Sequence, residues 1–492
     1  MGIPFYYRNL IQKNPKLLKS NISLPELDFK NDYLFFDYNA LMHPVAQTSA
    51  QTSSTKKYVE LAHAIIDETY RIINLYNPLN IIICVDGVAP MAKMVQQRRR
   101  RYMSGFRNKL IEKKPAYDSN AITPGTKLMH ELHKVFEEEF VKNPKITYSS
   151  FKEPGEGEHK IINYIKTNLK SDDSCIIYGL DADLIMLTLG LSQQVYLIRD
   201  DKLLDIAVLR ESIILEYNIP LNDYITLCFL LGNDFIPCLP FLKIREGAID
   251  ILLDTYKSII GNDVLVNKKN IINLEVLLRI IESLSKSENK YMLNAIHKYN
   301  EYNYIPRSNC TSEEKKLHKI DAYPVINKNI LSDNWRKDYY KYIFNIHKAC
   351  IDYIDGILWT ANYYFKHKFD KSWCYQNFYA PTILDLHNYL LKHVEFIGER
   401  QRQLTKGPDY IDYDLQLLLV LPPESIDLID TNYHEILTNI TKSCLHMYPR
   451  SFMIHMYLKH YLWECIPLIP SIDIQKISNE YQKIKNKIIQ KL

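Results

Sequence analysis

The stretch SCIIYGLDAD, residues 174–183, places two acids directly behind a run of apolar residues. Two further segments repeat this order, DYLFFD at residues 32–37 and NIIICVD at residues 80–86. Continuous rather than alternating hydrophobicity predicts strands that are buried on both faces, and such strands are usually parallel. Amphipathic stretches predict helices between them, at about residues 57–76, 90–113, 126–142 and 157–169. This alternation predicts an α/β fold with a doubly wound, mainly parallel sheet.

Acidic side chains follow these predicted strands or begin the predicted helices. The candidates are Asp37, Asp86, Glu156, Glu158, Asp181, Asp183 and Asp234. Ligands of doubly wound sheets bind beyond the carboxyl ends of the strands, so we expect the acids to converge there. Their mutual repulsion would then require cations, and two Mg²⁺ ions about 3.5–4 Å apart, replaceable by Mn²⁺, are a common device for phosphodiester hydrolysis. A single acid at a strand end more often caps a helix or faces water, so the prediction depends on the whole set.

The segment EPGEGEHK, residues 153–160, separates two of these acids by one glycine, although the chain has only 14 glycines among its 492 residues. Gly155 and Gly157 are expected to let the backbone turn tightly and to keep side-chain bulk away. The predicted helix N-terminus also favours negative charge. Both Glu156 and Glu158 could therefore face the ions.

A basic helix is predicted directly after Asp86, in APMAKMVQQRRRRYMSGFRNKL at residues 89–110. Four polar residues share one of its faces through their spacing of i, i+4, i+7 and i+8: Lys93, Gln97, Arg100 and Arg101. A run of charges more often forms a solvated face. Beside an acidic metal site, however, the cluster indicates recognition of a phosphate, which Arg binds in a forked geometry.

The overall composition describes a folded chain longer than one ordinary compact unit. Its net charge of +4 neither requires nor excludes a nucleic-acid partner. The nine cysteines include no CxxC pair, which indicates reduced thiols. No apolar run reaches the ~18 residues that span a bilayer. We therefore expect a cytoplasmic protein without membrane contact. The abundance of Ile, Lys, Asn and Tyr suggests an A+T-rich genome, such as that of a virus.

Three regions are expected along the chain. Residues 1–255 would form the α/β catalytic domain, residues 256–345 a variable helical or linker segment, and residues 346–492 a helical C-terminal part. Within the middle region, residues 283–340 are polar and weakly periodic, which predicts a linker or loose insertion.

With these residues assembled, the chain resembles the XRN family of 5′→3′ exoribonucleases, which have a nuclease core like those of PIN domains and flap endonucleases. The matching stretches include MGIPFYYRNLIQKNP, FFDYNALMHP, DGVAPMAKMVQQRRRR, YDSNAITPGT, PGEGEHKI, YGLDADLIMLTL and LLGNDFIPCLP, all within residues 1–255. More distant similarities, such as WCYQNFYAP and LLLVLPPES, extend to about residue 475.

The resemblance implies a processive enzyme that releases 5′-mononucleotides from single-stranded, 5′-monophosphorylated RNA with Mg²⁺ or Mn²⁺. The family's acidic cluster carries over onto the seven acids named above, with Lys93 as a further catalytic residue. Its 5′-phosphate pocket, too small for a cap or triphosphate, carries over onto Lys93, Gln97, Arg100 and Arg101. The family also stacks the leading bases between a His and a Trp, which would be His43 and, less directly, Trp463; a structural, buried Trp is equally expected there. No haem or nucleotide cofactor is implied, and we expect a monomer.

Several features depart from the family pattern and leave alternatives open. Tyr38, Ala40 and Leu41 are unusual near the site, the loops are short, and the family's large C-terminal modules and zinc knuckle are absent from this sequence. Processivity and partner recruitment are therefore in question. A flap-endonuclease-like DNA nuclease and a catalytically inactive RNA-binding scaffold remain the alternatives, although the presence of every expected acid favours an enzyme.

Overall fold

The computed structural model describes most of the chain. The described residues are 2–20, 30–49, 55–111, 118–179, 181–199, 202–303, 326–327, 330–331, 334–340, 345–431, 434–455, 459 and 462–489. Within them, no helix is long and apolar enough to cross a membrane, and no disulfide joins the cysteines.

A seven-stranded sheet forms the centre of the N-terminal half. Its strands are β1 (Leu18–Ser20), β2 (Tyr33–Asp37), β3 (Asn80–Cys84), β4 (Ile146–Ser149), β5 (Ser174–Tyr178), β6 (Gln194–Arg199) and β7 (Lys202–Asp205). They lie in the order β1-β7-β6-β5-β2-β3-β4. The strands from β6 to β4 are parallel, whereas β7 and β1 extend the edge in antiparallel fashion. The predicted mainly parallel α/β fold is confirmed.

Helices connect these strands and cover both faces of the sheet. They are α1 (Tyr6–Lys13), α2 (Tyr38–Ser49), α3 (Thr55–Tyr76), α4 (Met91–Ile111), α5 (Lys127–Phe140), α6 (Gly157–Asn168), α7 (Ala182–Leu189), α8 (Ile206–Tyr217) and α9 (Leu221–Phe229). The four helices expected from periodicity correspond to α3, α4, α5 and α6. Side chains alternate across the sheet, so that Phe35 and Leu34 of one strand belong to separate apolar cores on its two faces.

The rest of the described chain is largely helical. It contains α10 (Ala248–Ile259), α11 (Leu274–Lys286), α12 (Glu288–Asn303), α13 (Trp335–Tyr339), α14 (Ile346–Ala361), α15 (Ile383–Ile397), α16 (Arg400–Gln403), α17 (Tyr413–Val420), α18 (His434–Ser443) and α19 (Ile474–Ile489). Two short hairpins pair β8 (Ile326–Asn327) with β9 (Ile330–Leu331), and β10 (Ile454–His455) with β11 (Ile466–Pro467).

The prediction of a loose insertion from residue 283 is wrong for its first part. Helix α12 buries Met292, Ala295, Ile296 and Tyr299, which are spaced i, i+3, i+4 and i+7 on one face. The exposed Asn289, Lys290 and Asn294 of its other face lower the average hydrophobicity and conceal this stripe. Residues 304–325, 328–329 and 332–333 of the expected insertion lie outside the described residues.

One apolar core runs from the sheet into the helical region, reaching from Ile3 to Leu404. Another joins Met91 and Met94 of α4 to Leu418 of α17 and Tyr481 of α19. The proposed division into three regions is a prediction that these shared cores do not test. They do place the C-terminal helices against α4, which carries the predicted basic face.

Candidate active site

The carboxyl ends of three neighbouring strands bring acids to one edge of the sheet. Asp37 is the last residue of β2, Asp86 follows β3 by two residues, and Asp181 and Asp183 follow β5. Because β5, β2 and β3 are adjacent and parallel, these ends lie side by side. The strand-end pattern in the sequence therefore located this part of the site.

Glu156 and Glu158 enter from the N-terminus of α6, as the glycines around them require. Glu156 is the N-cap, and Gly155 before it has a positive φ of 106°, a conformation that favours glycine. A Cβ atom on Gly157 would lie 2.9 Å from both Asp37 Oδ1 and the Cys84 carbonyl oxygen. Any side chain at that position would occupy the space between the acids.

Asp86 is held by two partners on the same side of the sheet. Its Oδ1 accepts a hydrogen bond from the Gly157 backbone N–H at 2.6 Å, and its Oδ2 accepts one from Asn39 Nδ2 at 2.8 Å. The Asn39 Oδ1 in turn accepts from the Asp86 N–H at 3.2 Å. Asn39 was not among the predicted site residues, although its position two residues after Asp37 was a usable signal. Tyr38 bonds Thr69 in the core and does not enter the site.

Lys93 of α4 reaches into the acidic cluster. Its Nζ lies 2.6 Å from Glu156 Oε1 and 2.9 Å from Asp234 Oδ2, and the Lys93 side chain is only 10% exposed. Although burial opposes the charge, the attraction of Asp234 and Glu156 raises the pKa of Lys93 well above its usual value. Lys93 also lowers the pKa of Asp234 despite the burial of that carboxyl. The structure thus joins Asp234, from the loop after α9, to the acids of the sheet.

The cluster contains more acids than the single positive charge of Lys93 can neutralise. Burial, followed by the charge of Asp86, raises the pKa of Asp37 well above its usual range. Burial also raises the pKa of Glu158, and burial together with the charge of Asp234 raises that of Asp183 to about 7. Carboxylate oxygens in such an environment are the hard ligands that divalent cations prefer. The donor set therefore fits a divalent cation.

The acids are gathered but do not form a finished coordination sphere. In the described part of the chain, no three His, Cys, Asp or Glu side chains are arranged so that they could hold a metal ion as they stand. Lys93 lies between Glu156 and Asp234, while Asp86 is bonded to Asn39 and Gly157. These contacts account for the carboxylates' present orientations.

Two tyrosines from the helical region complete the acidic cluster, and sequence reasoning missed both. The Tyr363 hydroxyl donates to Glu156 Oε2 at 2.9 Å, and the Tyr364 hydroxyl donates to Asp183 Oδ1 at 3.0 Å. They follow α14 in a π-helical turn at Asn362–Lys366. The helical region thus contributes side chains to the same site as the sheet.

The four predicted basic-face residues of α4 divide between two environments. Lys93 belongs to the acidic cluster, whereas Arg101 is buried, donates to Gln97 Oε1 at 3.3 Å and donates to Thr123 Oγ1 at 2.8 Å. Burial, followed by the charge of the exposed Arg100, lowers the pKa of Arg101 to about 9. An anion beside this pair would be stabilised electrostatically. Thr123 was not predicted, although it lies in the quoted stretch YDSNAITPGT.

The other arginines of the QQRRRR run have structural roles on a different face of α4. Arg98 is buried and donates to the carbonyl oxygens of Leu419 and Met447, and Arg99 packs over the Phe378 ring at 4.8 Å. Neither Arg98 nor Arg99 belongs to the four residues for which the helical spacing predicts a shared face.

The two predicted stacking residues lie in different settings. His43 is half-buried on α2, and burial followed by the charges of Arg100 and Arg101 lowers its pKa to about 4, so it is neutral at pH 7. Trp463 is 53% exposed and is therefore not a core tryptophan. It lines a cavity of about 510 Å³ that also contains Gln96 and Asp234. This cavity opens beside the acidic cluster.

The fold and this site define an α/β protein whose acids gather beyond the carboxyl ends of parallel strands, where proteins of this fold class bind ligands, and whose helical region adds side chains to the same cluster. Two models of known protein families match this chain. The family described as XRN 5′-3′ exonuclease N-terminus matches residues 1–201, and the Xrn1 helical domain matches residues 216–333 and 329–491. The chain belongs to the XRN 5′-3′ exonuclease family.

Curated relatives agree with this assignment. Human 5′-3′ exoribonuclease 1 is 28% identical over 97% of this chain, and 5′-3′ exoribonuclease 2 of Gallus gallus is 24% identical over 98% of it. The chain spans 34% of the human relative's length and 70% of the chicken relative's. Among solved structures, the T5 D15 protein co-crystallised with metal ions superposes on 54% of the chain with a TM-score of 0.33 and 14% identity, too slight a likeness to bear on the site.

Proposed function

We propose that this protein is a 5′→3′ exoribonuclease that hydrolyses 5′-monophosphorylated, single-stranded RNA to mononucleotides. The observation that supports this most directly is that α4 lies beside an acidic cluster at one position and carries a basic pair at another. Lys93 is paired within a cluster of seven acids, and two turns further along the same helix Arg101 is buried beside Arg100. The first cluster suits cleavage of a phosphodiester, and the second suits retention of a terminal phosphate.

Divalent cations, Mg²⁺ or Mn²⁺, are proposed ligands of the seven acids Asp37, Asp86, Glu156, Glu158, Asp181, Asp183 and Asp234. When bound, a pair of such ions would activate a water and stabilise the leaving oxygen. Lys93 would contribute its charge to the scissile or terminal phosphate once cations compensate Glu156 and Asp234. Its present contacts show that it already lies within reach of the cluster.

The chain's own residues would select the 5′ end. Arg101 and Arg100 would bind the terminal phosphate, with Gln97 and Thr123 fixing the Arg101 guanidinium through the two hydrogen bonds described above. Arg101 is buried, and a pocket beside it would accept a monophosphate but not a bulkier cap or triphosphate.

The leading bases would stack on His43 and Trp463. A neutral His43 offers an aromatic face without a charge, and the exposed Trp463 stands at the cavity that leads from Asp234. Stacking tolerates any base sequence, because every base has a π-face. Such contacts would draw each new 5′ end forward after cleavage, which is the physical basis that we propose for processive degradation.

The test is the digestion of matched RNAs that carry a 5′-monophosphate, triphosphate, cap or hydroxyl, each with and without Mg²⁺. We expect mononucleotides from the monophosphorylated RNA alone, and only with the ion. Cleavage of a flapped DNA duplex in preference to RNA would instead indicate a flap-endonuclease-like enzyme. Binding of RNA without any degradation would indicate an inactive scaffold.

A further inference from the structure

Two consecutive tyrosines direct their hydroxyls at two different acids of the site. They belong to the π-helical turn Asn362–Lys366, and their acceptors are Glu156 Oε2 at 2.9 Å and Asp183 Oδ1 at 3.0 Å. Successive residues of a regular α-helix are about 100° apart, so neighbouring side chains normally diverge. The wider π-helical turns are rare in proteins, and many of those that occur lie at functional sites. This turn lets both hydroxyls reach one cluster.

Packing fixes the orientation of both rings. Tyr363 is 1% exposed, and its ring lies nearly parallel to those of His159, at 4.4 Å, and Trp359, at 5.4 Å between centroids. Tyr364 packs against Phe229 at 5.3 Å. Neither hydroxyl can swing away without disturbing the core, so the positions of the two donors are built into the fold.

Each hydroxyl donates to one oxygen of its carboxylate, Tyr363 to Glu156 Oε2 and Tyr364 to Asp183 Oδ1. In Glu156, the other oxygen, Oε1, lies 2.6 Å from Lys93 Nζ. The bond from Tyr363 therefore fixes one oxygen of Glu156 while the other faces the cluster.

We propose that Tyr363 and Tyr364 are positioning residues that hold Glu156 and Asp183 in the orientation in which these acids bind a divalent cation. The inference rests on the proposed function, because it assigns these tyrosines to the same cation site. Outer-shell partners that orient a metal ligand typically contribute 10–100-fold to metal affinity. The tyrosines would give the helical region a direct part in assembling the site, without contact to RNA.

The experiment is a calorimetric titration of Mn²⁺ into the full chain and its Tyr363→Phe and Tyr364→Phe variants. The matched control is Tyr353→Phe, since Tyr353 is equally buried but its hydroxyl donates to the Pro237 carbonyl oxygen at 3.0 Å. Each of the two site variants is expected to bind Mn²⁺ about tenfold more weakly. The control should bind within twofold of the unmodified chain. Thermal unfolding of all four proteins checks that the fold is retained.

Equal Mn²⁺ affinity in Tyr364→Phe, Tyr363→Phe and the control would overturn the positioning role. If the unmodified chain meanwhile binds Mn²⁺ and degrades monophosphorylated RNA, the proposed function stands and only this inference fails. If the unmodified chain neither binds Mn²⁺ nor degrades RNA, the proposed function itself is wrong and the inference falls with it.

Discussion

Gly157 and Asp37 approach each other so closely that a methyl group on Gly157 would lie 2.9 Å from the Asp37 Oδ1. The same methyl group would lie 2.9 Å from the Cys84 carbonyl oxygen, which the strand holds in place. No flexible side chain can yield at that second contact. The start of α6 and the end of β2 are thus in close contact. The positions of the acids on both elements depend on the absence of a side chain at residue 157.

Gly157→Ala is therefore expected to abolish RNA degradation, because α6 must shift and displace Glu156 and Glu158. We also expect a loss of stability of about 1–3 kcal/mol, the usual range for overpacking. Gly105→Ala in α4 is the matched control: a Cβ there meets no atom within 4 Å, and Ala is the better helix former by about 1 kcal/mol. Full activity in Gly157→Ala, measured on monophosphorylated RNA, would contradict the assignment of this edge as the active site.

Arg101→Ala should reduce the preference for a 5′-monophosphate over a 5′-hydroxyl. Truncating a buried, charge-assisted contact typically costs 2–5 kcal/mol, so we expect the ratio of kcat/KM for the two RNAs to fall by at least tenfold. The control is Arg107→Ala, which removes the same charge from an exposed position of the same helix. An unchanged ratio in Arg101→Ala would place the phosphate pocket elsewhere.

Asp183→Asn is expected to abolish activity and yet stabilise the metal-free protein. The folded-state pKa of Asp183, about 7, lies above the usual 3.9 of a free Asp, so the folded state holds a proton that the unfolded state has lost. Stability from this group is therefore fully present below about pH 4 and is lost as pH rises from 4 through 7. Asn retains a neutral acceptor for Tyr364 and removes the repulsion.

We expect Asp183→Asn to raise the free energy of unfolding at pH 8 by roughly 2–4 kcal/mol, and at pH 5 by only about 1–1.5 kcal/mol. Urea unfolding without divalent cations, at both pH values, measures the difference. Equal effects at pH 5 and pH 8 would show that Asp183 does not carry the repulsive charge that we assign to it.

The strand-end acids could be predicted from sequence because each directly follows a continuous apolar run that predicts a buried strand. The runs at residues 32–37, 80–86 and 174–183 therefore define the edge of the sheet at which these acids lie. Helical spacing grouped Lys93, Gln97, Arg100 and Arg101 on one face, but the buried contacts of Arg98 with Leu419 and Met447 could be seen only in the fold. Tyr363 and Tyr364 could not be found this way, since they lie 207 and 181 residues from their acceptors along the chain. Their role depends on a π-turn, for which no sequence period exists, and on tertiary packing.

The stability of the protein should fall in mild acid because of a buried histidine beside the tyrosine turn. His159 stacks on Tyr363 at 4.4 Å, and burial lowers its pKa to about 4, below the 6.5 of an unfolded histidine. Between those values the unfolded state binds the extra proton, so this contribution is intact above pH 6.5 and is lost as pH falls towards 4. His159→Phe keeps an aromatic ring against Tyr363 but cannot titrate, so its loss of stability between pH 7 and pH 5 should be about 2 kcal/mol smaller. Chemical unfolding of both proteins at the two pH values measures this difference, which cancels the contributions of the acids that they share. Parallel losses in the two proteins would mean that the pKa of His159 is not lowered in the folded state.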